Sequence, residues 1–356
     1  MRQLLNTLYV TTPRAYVHLD HDTLRVEVGR ELKLQVPLLQ LSAIVCFGDV
    51  LISPALLHRC ADDGRSVVWL DERGRFKARM EGRTSGNVLL RRSQHLALSD
   101  ETRRTEIGRN LVAGKLRNAR HVLLRAARES SGEDAQELRG AADRIAAIVQ
   151  RLPLRRDVDL LRGDEGEAAR VYFEVFPRMV REQRDVFEMK GRNRRPPRDP
   201  MNAVLSFLYT LLRVDCEAAL EGVGLDPQVG FFHALRPGRP ALALDLMEEL
   251  RPALADRLAL TLVNRRQLGP EDFEWWGEEG SEGEDAVTPI PAGAVYLNER
   301  GRRTVIVAYQ KRKEEEVEHR VLDRRIPLGL VPHIQARLLA RHLREDLAHY
   351  PPFLMR

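Results

Sequence analysis

His233, Asp245 and Glu248 stand in one short stretch, GFFHALRPGRPALALDLMEELRP (230–252), that otherwise reads as a turn followed by an apolar helix. Asp245 and Glu248 are three residues apart, so in the first turns of a helix their side chains share a face and could share one ion. His233 lies in the preceding loop, between Gly230 and Pro237-Gly238, where turn chemistry can fold the imidazole back towards the helix start. An imidazole nitrogen with two carboxylates makes a mixed site that accepts manganese readily and tolerates magnesium. The same residues also have a plainer reading: a polar loop histidine, and acids favoured near a helix N-terminus by its dipole.

A second cluster sits in LLRGDEGEAARVYFEVF (160–176), where Asp164, Glu165 and Glu167 surround Gly166 at the predicted start of an amphipathic helix. Glycine weakens a helix start unless a backbone or ligand must come close. Between the clusters, MKGRNRRPPRDP (189–200) carries Lys190, Arg192, Arg194, Arg195 and Arg198, with prolines that deny it a helix. That loop can bind backbone phosphates beside an acidic metal site, or simply be a solvated basic surface. No Ser-His-Asp or Cys-His arrangement is recognisable, so no side-chain nucleophile is expected.

The elements that must position these residues fall into two parts. TLYVT, AYVHL, TLRVEV, LKLQVPL, SAIVCFG and SVVWLD are short, β-branched or aromatic runs separated by turns, which predicts a small antiparallel β-domain over 1–80. One helix interrupts it at SPALLHRCADDG, with Ser53 as cap, Pro54 first and Gly64 as stop. Gly82, Ser85 and Gly86 mark a linker over 81–92, and from 93 to 356 apolar residues recur at three and four, which predicts a mainly α-helical domain. Helices are expected over 105–129, from Pro200 to the glycines near 222, and again from Asn298. The acidic, glycine-rich stretch near 270–293 reads as a loop insertion.

The 356 residues are ample for two domains, and a net charge of +5, carried mainly by arginine, is compatible with nucleic acid or with a solvated surface. No uninterrupted apolar run is long enough for a bilayer helix, and the N-terminal stretch has no long apolar core of a signal peptide, so a cytoplasmic location is expected. Cys46, Cys60 and Cys216 form no pair of metal-binding or disulfide spacing and are expected to be buried thiols.

The blocks LRGDEGEAARVYF and NAVLSFLYTLLRVDCEAALEGVGLDPQVGFFHALRPGRPALALDLMEELRP, in that order after a β-rich start and before a terminal YPPF, closely resemble the CRISPR-associated integrase of spacer acquisition, the Cas-one family in its type I-like form. The resemblance spans most of the chain. It implies that Glu165, His233, Asp245 and Glu248 bind a divalent Mn2+ or Mg2+, with Glu248 where many relatives have aspartate and Glu249 a less favoured substitute. It also implies that Tyr172, Asn202 and Tyr209 lie near the pocket. The implied activity is metal-dependent DNA strand transfer, in which a DNA 3′-hydroxyl attacks a repeat phosphodiester, with nuclease activity when water attacks instead. The implied partners are double-stranded DNA, a second copy of the chain through the β-domains, and a small ferredoxin-fold adaptation protein, Cas-two in words. A metal-dependent repair or junction nuclease uses the same residues on another substrate, and a non-catalytic nucleic-acid scaffold would need no divalent ion.

Overall fold

The computed structural model describes residues 7–82, 87–193, 196–276 and 292–355. The chain divides into two compact units, 1–86 and 87–356. The first contains β1 (Thr7–Val10), β2 (Tyr16–Asp20), β3 (Thr23–Val28), β4 (Glu31–Pro37), β5 (Ala43–Phe47), β6 (Leu51–Ile52), α1 (Pro54–Asp62), β7 (Ser66–Leu70) and β8 (Phe76–Met80). They form two four-stranded sheets, ordered β1-β5-β7-β8 and β4-β3-β2-β6.

Antiparallel pairing holds for β2-β3-β4 and β7-β8, but β1-β5-β7 are parallel and β6 runs parallel to β2. The expectation of an antiparallel domain is corrected to that extent. For β5 and β7 the physical reason is α1, a crossover that returns the chain in the same direction, and for β1-β5 and β2-β6 it is the intervening strands, where a hairpin would reverse the chain. Ser53 caps α1 by accepting from Leu56 N, and Gly64 takes the left-handed conformation (φ +65°) that ends it. Val17, Leu24, Ile44, Cys46, Leu56, Cys60 and Val67 make the core of this unit.

The second unit contains α2 (Val88–Ser99), α3 (Glu101–Arg128), α4 (Gly132–Arg151), α5 (Val158–Val175), α6 (Pro200–Glu221), α7 (Ala241–Glu248), a π-helical turn (Arg251–Asp256) and α8 (Arg257–Asn264). After these come β9 (Phe273–Trp275), β10 (Val295–Leu297), α9 (Glu299–Glu314), β11 (Glu316–His319), β12 (Arg324–Pro327) and α10 (Val331–Leu343). α2 already begins within the stretch read as linker, and linker residues 83–86 lie outside the described residues. Most of the acidic insertion, 277–291, also lies outside them, while β9 and β10 on either side pair antiparallel. Among the described residues no helix is long and apolar enough to cross a membrane, and all three cysteines are buried free thiols.

α3 is the axis of this unit, packing against α4, α5, α7 and the π turn. Asp100 caps it by accepting from Thr102 N and Arg103 N, and Ile107, Leu111, Val112, Leu116 and Leu123 are buried on its inner side. Gly114 lets the C-terminal tail close on it, because a Cβ there would stand 2.8 Å from Pro352 Cβ and 3.1 Å from Glu249 Cβ. Asn118 seals the contact: its Nδ2 donates to Glu249 O (2.8 Å) and Phe353 O (2.9 Å), and its Oδ1 accepts from Met355 N (2.8 Å).

Glu249 is a buried tail anchor, accepting from Tyr350 Oη, Phe353 N and Gln335 Nε2. Burial pushes its carboxyl up from 4.5 to about 7 against those hydrogen bonds. A carboxyl raised on folding contributes stability fully below its unfolded pKa and loses it as pH climbs to the folded value. We therefore expect unfolding free energy from this group to fall between pH 4.5 and about 7, by up to about 1.4 kcal/mol per pH unit. Denaturant titrations of Glu249→Gln should show a flatter pH dependence over that window, and an unaltered profile would contradict the assignment.

Candidate metal centre

The loop that carries His233 is held from four sides. Gln94 on α2 donates to Asp226 O (2.9 Å) and Val229 O (2.8 Å). Arg104 on α3 donates to Phe231 O (3.2 Å), and Arg162 on α5 donates twice to Phe232 O (2.9 and 2.7 Å). Pro227 O in turn caps α7 by accepting from Leu242 N (2.8 Å) and Ala243 N (3.2 Å). Only glycine fits at 230, where a Cβ would stand 2.6 Å from Ala241 C and 2.8 Å from Asp245 Oδ2.

Asp245 closes the arrangement. Its Oδ2 accepts from Phe231 N (2.6 Å) and Phe232 N (3.0 Å), and its Oδ1 accepts from His233 N (2.9 Å) and from His233 Nδ1 (2.7 Å). It is fully buried. A carboxylate accepting from Nδ1 puts the proton on that nitrogen, so the Nε2 lone pair is left to face outward. Nε2 stands 3.6 Å from Glu248 Oε1.

Glu248 is the last residue of α7, and Asp245 lies a turn inside it; the first turn holds no acid at all. The expected position at the helix start is thus corrected, and with it the dipole explanation for the pair fails. α5 likewise begins at Val158, capped by Asp157, so Glu165 is two turns into the helix rather than at its start. Gly166 faces open space, with nothing among the described residues within 4 Å of a Cβ built there. Asp164 is a structural anion, paired with Arg155 (2.7 Å) and Arg151 (3.3 Å), and Glu167 pairs with Arg151 (2.6 Å).

Glu165 and Glu248 converge on one ammonium. Lys115, from the middle of α3, contacts Glu165 Oε1 and lies 2.5 Å from Glu248 Oε2. Arg251, in the π turn, donates to Glu248 Oε1 (2.5 Å) and lies over the Tyr209 ring (5.2 Å to its centre). Burial alone would raise the Glu248 carboxyl; the charges of Arg251 and Lys115 lead the causes that outweigh it and bring it down to about 2. Glu248 Oε2 meets the Lys115 ammonium, and Oε1 the Arg251 guanidinium.

Among the described residues no three His, Cys, Asp or Glu side chains already stand around one point as ligands. The carboxylates are drawn onto Lys115 and Arg251 instead. The donor set still fits a hard divalent cation: an ionised Glu248 whose oxygens meet only cations of the chain, the Nε2 of His233 beside it, and Glu165 across the Lys115 ammonium.

The pocket next to this centre is lined by Lys115, Glu165, Tyr172, Tyr209, Arg251 and Asp256, among others. Tyr172 and Tyr209 both donate to Asp256 (3.1 and 2.7 Å), a carboxyl that burial pushes up to about 6. Asn202 is fully buried away from that lining; it donates to Gly191 O (2.8 Å) and accepts from Arg192 (2.6 Å), fastening the basic loop. Within that loop Arg192 turns inward over Tyr209, whereas Lys190 and Arg198 are exposed. Arg194 and Arg195 lie outside the described residues.

Sequence reasoning missed Lys115, Arg251, Asp256 and the loop clamps Arg104 and Arg162. Lys115 had one available signal: of 57 basic residues only six are lysine, and it is the only lysine between Lys77 and Lys190.

The CRISPR associated protein Cas1 family model matches residues 8–311. A CRISPR-associated endonuclease Cas1 from Moorella thermoacetica is 56% identical over 357 residues, covering 100% of both chains. Among solved structures, a Cas6-RT-Cas1–Cas2 complex matches at TM-score 0.81 and 21% identity over 99% of this chain, which spans only 36% of that longer one. A casposase bound to its integration product matches at TM-score 0.79 and 20% identity, over 97% of this chain and 93% of that one.

Substituting Asp245 by Asn sets an amide group against backbone donors and a ring N–H. We expect Asp245→Asn to lose about 3 kcal/mol in chemical denaturation and to speed hydrogen exchange at residues 231–233. Protection equal to that of the unsubstituted chain would show that the carboxylate does not hold the loop.

Proposed function

Because the chain belongs to the CRISPR associated protein Cas1 family, we propose that it is the metal-dependent endonuclease and integrase of CRISPR adaptation, joining DNA 3′-hydroxyls to a repeat phosphodiester. The observation that carries this reading is the meeting of Glu165 and Glu248 at one cationic position, with His233 Nε2 beside Glu248. Glu165, His233 and Glu248 are assigned as the ligands of Mn2+ or Mg2+, and Asp245, whose oxygens are taken by the loop, as the group that fixes the His233 ring. A bound divalent ion supplies a Lewis acid for the scissile phosphodiester and neutralises charge on the attacking and leaving oxygens.

The protein's own groups do the rest. The Asp245 clamp keeps His233 in one tautomer, and Arg251 keeps Glu248 ionised within a buried setting. Arg251 lines the pocket and Arg192 stands over the same Tyr209 ring, so two guanidinium groups flank that wall of the site. Exposed Lys190 and Arg198, together with Arg194 and Arg195, draw the backbone of double-stranded DNA towards the site. Both substrates, incoming DNA and repeat, are polyanions, and no covalent protein intermediate is required.

A homodimer through the β-domains and a Cas2 partner complete the proposal; the latter is supported by the similar Cas1–Cas2 assembly. We expect Glu165→Ala and His233→Ala each to abolish Mn2+-dependent joining of a labelled duplex to repeat DNA, by at least about 100-fold, while duplex binding in EDTA persists. Full joining by both variants would remove the metal assignment.

A further inference from the structure

α3 and the segment 251–265 face each other along two successive clefts. The first is the pocket of Lys115, Glu165 and Arg251. The second, about 180 Å³, is lined by Arg125, Glu129, Arg181, Arg257, Thr261 and Arg265, among others. On α3 the residues Lys115, Ala119, Val122 and Ala126 follow one another at three and four, so a single stripe of the helix serves both clefts.

The second cleft is short of negative charge. Glu129 is shared between Arg125 (3.1 Å) and Arg181 (3.2 Å). The Arg257 and Arg265 side chains make no ion pair or hydrogen bond among the described residues. Burial, then the charges of Arg312 and Arg125, outweigh the pull of Glu315 and Glu129 and bring the Arg257 guanidinium down to about 10, and burial and three arginines likewise lower His121 nearby. A half-buried, unpaired arginine among other arginines destabilises the fold unless an anion joins it.

Accepting that the protein acts on DNA, we propose that this cleft is a backbone-phosphate subsite, with Arg257 and Arg265 as its free donors and Arg125 and Arg181 beside them. Ten residues of α3 separate Lys115 from Arg125, about 15 Å along a helix. A B-form strand rises about 3.4 Å per phosphate along the duplex axis and winds as it rises, so its phosphates stand roughly 6–7 Å apart in space. The subsite therefore grips the strand about two or three nucleotides from the reacting phosphodiester and sets the direction in which it leaves the metal centre. Guanidinium forks suit this task because each can meet two phosphate oxygens at once.

The test is duplex binding by Arg257→Gln and Arg257→Lys, measured in EDTA across a salt series, together with their melting temperatures. Arg257→Gln should bind several-fold more weakly, with a log K against log salt slope shallower by about 0.9. Its melting temperature should equal or exceed that of the parent, because a repulsive charge has gone. Arg257→Lys should keep the slope. A parent-like affinity and slope in Arg257→Gln overturn the subsite while leaving DNA binding intact, and a fall in melting temperature would make the residue structural. Failure of the parent itself to bind duplex removes the subsite and the DNA reading together. If inorganic phosphate raises the parent's melting temperature while Arg257→Gln leaves duplex binding unchanged, the cleft takes a small free anion and the proposal fails.

Discussion

The carboxylate of Asp245 takes four donors at once, three backbone amides and one imidazole N–H, and is completely withdrawn from water. A buried carboxylate is tolerated only when its lone pairs are satisfied, and here every donor comes from residues 231–233. One interaction thus fixes the shape of the loop, the plane of the His233 ring and its tautomer. Gly230 exists to let the loop come that close, and Gln94, Arg104 and Arg162 hold its outward carbonyls from α2, α3 and α5. The long helices of the second unit serve this loop as a rigid frame.

Around that frame the electrostatics are balanced by cations of the chain itself. Glu248 is buried yet ionised because Arg251 and Lys115 flank it, and Glu165 meets the same ammonium from α5. Removing two like carboxylates from water side by side without a cation would be costly. The position between them is therefore built for positive charge, and Lys115 supplies it in the protein as described. The same α3 that supplies the ammonium runs on to the arginine cleft, so one helix lines both.

The two-part organisation, α1 with its cap, α6 from Pro200 and α9 from Asn298 were all legible because capping residues and apolar periodicity are local signals. Parallel strand pairing was not, since pairing direction depends on which distant strands meet. The placement of the acids was also misjudged: DEGE looks like a helix start, but Asp157 had already opened α5 and Arg155 had claimed Asp164. The motif resemblance singled out His233, Asp245, Glu248 and Glu165. Their differing surroundings were not legible, because only folding reveals that Asp245 spends its oxygens on the 231–233 loop while Glu248 meets Lys115 and Arg251. Lys115 and Arg257 did not stand out for one reason: in a chain with 57 basic residues, composition and spacing do not distinguish a buried cation from a solvated one.

The shared ammonium makes a direct claim about affinity. If Lys115 stands where a divalent ion belongs, it competes with that ion, and calorimetric titration of Mn2+ into Lys115→Met should give tighter binding than into the parent chain. One ion per chain with raised affinity is the predicted result. Equal or weaker binding by Lys115→Met, in a protein that still melts cooperatively, would contradict a common cation position for Glu165 and Glu248.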